Sequence, residues 1–274
     1  MDPIILLGLI AVGIGAGILG GIFGVGGGVI FVPILLLVFH LSPAEAAATS
    51  LIGIISGSAG ASSVQIRSGR SNIRLGLFLE ISTAIGAIIG AAIAVYLDDH
   101  VLILIFVVVI AAMGIKMLLD RKAGDRSSEP EDGRFTFPYE DDSGETRRFK
   151  VEHVKGSVPL CLGAGMVSSI TGIGGGAIKV PIMNMYMGVP IKVATATSSY
   201  MIGITAFTGA IAYLVSGIVV FEYAAWIAIG AFFGSILGVA ISRRLDGRRL
   251  KRYFGIFMLT MAVLILLQEV GVLD

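Results

Sequence analysis

Seventeen of the 39 charged side chains lie between Asp120 and Glu152, and the rest of the chain reads as apolar runs parted by short turns. The runs cover about 4–22, 29–40, 43–66, 75–97, 101–119, 154–172, 176–189, 191–215, 219–242 and 253–270. A helix needs about 20 residues to cross roughly 30 Å of hydrocarbon. Most runs reach that length, while 29–40 and 176–189 fall short of it. Spanning backbone must satisfy its own hydrogen bonds, so the runs predict helices. Only 14% of the 274 residues are charged, against roughly 25% in soluble domains. Too few polar groups remain to clothe a water-soluble particle. A soluble enzyme, a disordered chain and a disulfide scaffold are excluded, Cys161 being the single cysteine. A net charge of +1 gives no general attraction to nucleic acid. The predicted fold is an all-α polytopic membrane protein.

The chain also repeats itself. A shift of 148 residues lays positions 15–106 on 163–254 without a gap. Gly26-Gly27-Gly28 meets Gly174-Gly175-Gly176, Pro33 meets Pro181, Thr49-Ser50 meets Thr197-Ser198, and Ser68-Gly69 meets Ser216-Gly217. Gly86, Gly90 and Asp98 find Gly234, Gly238 and Asp246. Three parts follow: a transmembrane repeat over 1–120, a charged loop over 121–152, and a second transmembrane repeat over 153–274.

Basic residues accumulate on the cytoplasmic side of membrane proteins. The turn with Arg67, Arg70 and Arg74 in the first half has no base at its counterpart, Ser216 to Glu222. One turn later the imbalance reverses: Arg243, Arg244, Arg248, Arg249, Lys251 and Arg252 stand where the first half has Asp98-Asp99-His100. The halves are therefore expected to insert with opposite polarity, as inverted-topology repeats. With both termini outside and the charged loop inside, 18 of the 20 bases are cytoplasmic, leaving Lys116 and Lys179. The N-terminal Met-Asp-Pro carries no basic region, so the first run is read as a retained span. Opposite polarity needs an odd number of crossings per half. Eight to ten membrane segments fit, with the short glycine-led runs as broken or re-entrant helices.

Three successive glycines make poor helix and leave amides in need of partners, which lipid does not offer. Close packing of helices through glycine is one reading of each cluster. Their symmetric recurrence favours the other, a ligand site between the halves, with N–H groups at helix starts facing an anion. Thr49, Ser50, Thr197, Ser198 and Ser199 follow the clusters as candidate contacts, although such hydroxyls often bond the preceding turn. Lys179 is a base deep in an apolar run, and its counterpart is Phe31. A buried intramembrane lysine is a functional candidate, the bland alternative being a lysine that snorkels to the interface. Glu80, whose counterpart is Ala228, has two readings, a proton relay or an acid near Arg74 at the interface, and the second is favoured. Ser42-Pro43-Ala44-Glu45 has the spacing of a capping box. Gly15 to Gly20 matches a dinucleotide-loop pattern but sits inside an apolar run, not a strand–turn–helix unit. The charged loop, with ten acids and seven bases, reads as a solvated linker.

GVGGGVIFVPIL with SPAEAAATS in the first half, and GIGGGAIKVPIM with VPIKVATATSS in the second, resemble the TauE/SafE family of bacterial membrane proteins. The resemblance covers about 15–119 and 155–270. It implies a secondary transporter for small sulfur-containing anions such as sulfite or organosulfonates, its glycine and Thr/Ser motifs lining the pathway.

The expectation is an exporter of the plasma or inner membrane, not an enzyme, working by alternating access. The substrate-binding set is Gly26, Gly27, Gly28, Thr49, Ser50, Gly174, Gly175, Gly176, Lys179, Thr197, Ser198 and Ser199. No cofactor, metal or catalytic residue is expected. The partners are a small anion and the lipid bilayer, nucleic acid is not one, and a homodimer is left open. An inside-negative potential would favour anion exit by about 2.3 kcal/mol per charge per 100 mV. Two rival readings are a carrier of a neutral or cationic metabolite, and a membrane partner or receptor subunit that docks through 121–152.

Overall fold

The computed structural model describes residues 3–69, 71–119, 136–140, 146–242 and 247–270. Among them the first half holds α1 (Pro3–Phe23), α2 (Gly28–Leu37), α3 (Pro43–Arg67), α4 (Ile73–Ala94) and α5 (Asp99–Leu119). Two strands follow, β1 (Thr136–Glu140) and β2 (Thr146–Lys150). The second half holds α6 (Val154–Thr171), α7 (Gly176–Pro181), α8 (Ile191–Val215), α9 (Phe221–Ser242) and α10 (Gly247–Glu269). The protein is an all-α polytopic membrane protein. Among the described residues six helices (α1, α3, α4, the Asp99–Lys116 part of α5, α8 and α9) are long and apolar enough to cross a membrane.

The two short runs form short helices. The 10 residues of α2 span about 15 Å at 1.5 Å per residue, half a bilayer core. The 6 residues of α7 pass at Pro181 into a π turn, Ile182–Tyr186. Proline lacks the N–H that would continue the ladder, so the turn widens around it. The expected capping box is present: Glu45 N–H donates to Ser42 Oγ at 3.3 Å, and Ser42 N–H donates to Glu45 Oε2 at 2.9 Å.

Glycine sets how close the long helices come. Gly13, Gly17 and Gly21 recur every fourth residue on α1, and Gly230, Gly234 and Gly238 do so on α9. A Cβ on Gly21 would lie 2.4 Å from Ser235 O, and one on Gly238 only 2.1 Å from Ile18 O. Lipid supplies no hydrophobic drive between helices, so close van der Waals approach through small residues holds them. A second pair of helices repeats the device. There Gly86 and Gly90 of α4 press on Leu162 and Met166 of α6.

Contact register gives the helix directions. Gly13 meets Ile227 and Gly230 while Gly21 meets Ser235, so α1 and α9 run parallel. Gly53 faces Ile227 and Gly60 faces Phe232, so α3 runs with them. Asn72 pairs with Thr197 and Glu80 with Thr205, which makes α4 and α8 parallel. Between α3 and α8 the numbering crosses: Leu51 lies at Gly209, whereas Ser58 bonds Ser199. Thus α1, α3 and α9 run one way and α4, α6 and α8 the other. Every helix of this set opposes its repeat counterpart. The halves share one core, since α1 of the first half packs on α9 of the second and α6 of the second on α4 of the first. Ile81, Ile85 and Ile89 point outward on α4, as do their counterparts Ile229, Phe233 and Leu237 on α9.

The charged segment is not wholly a solvated linker. Strands β1 and β2 pair antiparallel, Tyr139 opposite Arg147. Tyr139 and Phe149 are buried against Leu79, Cys161, Met183, Met187 and Val189. Apolar side chains at Phe137, Tyr139 and Phe149 are what a solvated linker would lack, and they anchor the hairpin on the bundle. The rest of the loop's charge, over 120–135 and 141–145, lies outside the described residues, as do Arg70, Arg243, Arg244 and Asp246.

Gly238→Leu should wedge α9 off α1 and lower the unfolding midpoint in detergent, overpacking costing about 1–3 kcal/mol. Gly8→Leu, at a glycine with open space around it, should leave that midpoint unchanged.

Candidate functional site

The two glycine clusters lie against each other. A Cβ on Gly28 would stand 2.4 Å from Gly172 O, and one on Gly176 would stand 2.4 Å from Gly24 O. Gly24, Gly26, Gly27, Gly172, Gly174 and Gly175 adopt φ between 65° and 87°, the left-handed region where a side chain is strained. Each loop is held by a serine of the opposite half. Ser50 Oγ donates to Gly172 O at 2.5 Å, and Ser198 Oγ donates to Gly24 O at 3.1 Å. Both Gly26 and Gly174 rest on Ile54 and Ile202. The structure therefore brings Gly26–Gly28, Gly174–Gly176, Ser50 and Ser198 into one crossing.

The neighbouring threonines tie that crossing to the long helices. Thr49 Oγ1 accepts from Val220 N–H at 3.3 Å and Thr197 Oγ1 from Asn72 N–H at 2.9 Å. Val220 is the repeat counterpart of Asn72, so the two bonds are symmetric too. Both threonines sit at helix starts, α9 and α4, flanking the crossing. Ser199 is buried, and its Oγ donates to Thr195 O of its own helix at 3.0 Å.

One side of the crossing carries charge. Lys179 is 0% exposed and Glu80 3%. Lys179 Nζ donates to Glu80 Oε2 at 2.9 Å and also to Thr205 Oγ1. Thr205 Oγ1 in turn lies 2.5 Å from Glu80 Oε1, as its donor. Of the two readings of Lys179, the snorkelling one is not met, since the side chain is buried. The expectation that Glu80 lies by Arg74 at the interface is corrected, its partner being Lys179. Six residues turn a helix through about 600°, so Arg74 and Glu80 occupy different faces of α4. Charge inside a membrane protein is costly unless paired, and the pair meets that demand across the two halves. Thr205 was missed by sequence reasoning. It lies seven residues beyond Ser198, two turns down the same face, and that spacing is the signal that would have found it.

The counterparts of Lys179, Glu80 and Thr205 are Phe31, Ala228 and Gly57. The other side of the crossing is therefore uncharged. There the Phe31 ring covers Gly53, and a cavity of about 10 Å³ is lined by Gly26, Gly57, Ser58, Ser199, Ile202 and Ser235. Asn184 donates to Val189 O at 2.9 Å, and Gln65 is buried. Ser168 Oγ is buried without a partner and lies 3.1 Å from the point where a Cβ on Gly175 would begin. Among the described residues no cluster of His, Cys, Asp or Glu is suited to a metal ion. Chemically the site offers an ammonium held by a carboxylate, hydroxyls and glycine backbone in an enclosure of apolar side chains.

A family model described as Sulfite exporter TauE/SafE matches residues 9–265. A probable membrane transporter protein of Bacillus subtilis (strain 168) is 29% identical over 245 residues, 87% of this chain and 89% of that protein. A probable membrane transporter protein of Methanocaldococcus jannaschii is 27% identical over 262 residues, 89% of this chain and 88% of the relative. Sulfite exporter TauE/SafE family protein 6 of Arabidopsis thaliana is 35% identical over 81 residues, 30% of this chain and 19% of that protein. No solved structure matches.

Lys179→Met strands the Glu80 carboxylate, and removing one partner of a buried pair costs about 3–5 kcal/mol. The unfolding midpoint in detergent should fall accordingly. Adding Glu80→Leu should recover most of the loss, and a double variant less stable than the single would show that the pair is not the cause.

Proposed function

Because the chain belongs to the sulfite exporter TauE/SafE family, we propose that it is a secondary transporter that carries small sulfur-containing anions, such as sulfite or organosulfonates, out across the cell membrane by alternating access. The observation that carries this reading is Lys179, fully buried at the place where two backbone loops from opposite halves cross. An anion that leaves water loses several hydrogen bonds, and a path through the bilayer must replace them. Gly26–Gly28, Gly174–Gly176, Ser50, Ser198 and Lys179 supply donors of the right sign. Thr49 and Thr197 then contact the anion when the halves move, since their present bonds tie helices that such motion would part, and Ser199, bonded within its own helix, turns to the anion beside them.

The opposed directions of repeat counterparts support insertion with opposite polarity. In this reading both termini lie outside and the 121–152 loop is cytoplasmic, with 1–120 and 153–274 as the two units that rock around the crossing. The crossing is packed shut in the present conformation, too tight at Gly28 and Gly176 for a side chain. Exposure to either side therefore requires the halves to separate there.

Purified protein in liposomes loaded with radiolabelled sulfite should release it at least tenfold faster than protein-free liposomes. Excess methanesulfonate should compete, and choline or a neutral amino-acid amide should not; the opposite pattern would install a rival solute class. Arg67→Cys and Val215→Cys occupy counterpart positions, both exposed, while native Cys161 is buried. An impermeant maleimide should reach Val215→Cys from outside the cell and Arg67→Cys only after the membrane is opened. Labelling of both from one side would end the opposite-polarity arrangement.

A further inference from the structure

We infer that the Glu80 carboxylate occupies the place of the transported oxyanion on Lys179, and that an arriving anion displaces it as Glu80 takes up one proton. This rests on the anion-transport reading and names its coupling ion. A monovalent anion and a proton then cross together.

Charge balance requires the exchange. Lys179 and Glu80 are the charged side chains in the buried set among the described residues. Their site is neutral as it stands. An anion brought to Lys179 with Glu80 still ionised would leave two negative groups on one ammonium in a medium that solvates neither. Protonation of Glu80 restores neutrality. The lysine stays an ammonium throughout, the anion replaces the carboxylate as its acceptor, and the incoming proton forms an O–H bond on the carboxyl. No other bond is made or broken.

The chemistry of the donors fits the exchange. Glu80 presents one oxygen to Lys179 Nζ and the other to Thr205 Oγ1. A sulfonate or hydrogensulfite likewise carries several oxygens on one centre and can bridge the same two donors. A third donor stands ready, because Ser168 Oγ is buried and has no partner. It lies on the same spot beside Gly175 as Lys179 Cε, at 3.1 and 3.5 Å from where a Cβ there would begin. Gly175, with φ 70°, keeps that spot free of a side chain.

The groups facing Glu80 leave it as the proton acceptor. From α7 it meets Lys179 and from α8 Thr205, while Tyr200 of α8 and Cys161 of α6 lie within electrostatic range. Tyr139 of β1 joins the apolar cluster around neighbouring Leu79. A thiol and phenols carry no charge near pH 7 in their ordinary state. The repeat counterparts Phe31, Ala228 and Gly57 provide no second pair, so the stoichiometry is one proton per chain. Glu80 belongs to the first half, and Lys179 and Thr205 to the second. Displacement therefore also unties the ion pair that joins α4 to α7, which links anion binding to relative motion of the halves. For a monovalent anion the inside-negative potential then gives no push; its own gradient and the pH gradient set the direction.

Methanesulfonate, a monovalent anion that does not titrate near neutrality, separates the possibilities. In liposomes with a pH one unit lower outside, the wild type should accumulate radiolabelled methanesulfonate about tenfold, the ratio of the proton concentrations. An imposed potassium diffusion potential should leave that ratio unchanged. Glu80→Gln should lose accumulation driven by the pH gradient and respond to the potential instead. Wild-type accumulation that follows voltage and ignores pH overturns the proposal, as does a Glu80→Gln protein that still concentrates methanesulfonate tenfold. Should Glu80→Gln fail to purify as a folded protein, the solubilised wild type decides. About one proton should leave a weakly buffered solution per methanesulfonate bound, and none taken up overturns the coupling. A wild type that neither binds nor moves methanesulfonate or sulfite overturns the anion reading itself, an outcome distinct from anion transport without a proton.

Discussion

Backbone that leaves the helical ladder inside a membrane must find partners in the protein, because lipid provides none. The crossing of the two glycine loops meets that constraint by exchange. Ser50 satisfies a carbonyl of the second loop and Ser198 satisfies one of the first. Each loop thus takes a partner for one of its carbonyls from the other half, beside the bonds it keeps with its own helices. The shared core around Ile54 and Ile202 lies under both loops. The long glycine faces of α1 with α9 and of α4 with α6 extend it outward, again pairing a helix of one half with a helix of the other.

Departure from symmetry sets one side of the crossing apart. Serine, threonine and glycine recur on both sides of the crossing, and so does their bonding. Lys179, Glu80 and Thr205 do not recur, and Phe31, Ala228 and Gly57 fill the corresponding space with an aromatic ring, a methyl group and a small cavity. A charged pair in low dielectric is retained at a cost. Its presence on one side alone is hard to ascribe to packing, which the other side achieves without it.

The match over residues 9–265 makes the chain one of a group of membrane transporters. The relatives in Bacillus subtilis and Methanocaldococcus jannaschii are likewise described as probable membrane transporter proteins. The hairpin that seats Tyr139 and Phe149 on Met183 and Met187 shows that the charged segment is partly built into the bundle, close to the π turn after α7.

Much of the local structure was legible in the amino-acid order, the hairpin in the charged segment and the π turn after α7 excepted. Apolar run length set which segments span, Ser42 and Glu45 announced the start of α3, and the glycine triplets announced the breaks. Those signals are short-range: periodicity, capping and conformational preference act within a turn or two. The repeat, too, was open to simple alignment, and with it the counterparts that the crossing brings together. What tertiary structure alone decided was which faces meet. Glu80 and Lys179 are 99 positions apart, and no local rule chooses between Arg74 on the same helix and a lysine on another. The same holds for Thr205 beside that pair and for the two aromatic residues that pull a charged loop onto the bundle. Partner choice between distant segments follows from the close packing of helices over their whole length, a property of the assembled bundle and of no single stretch of it.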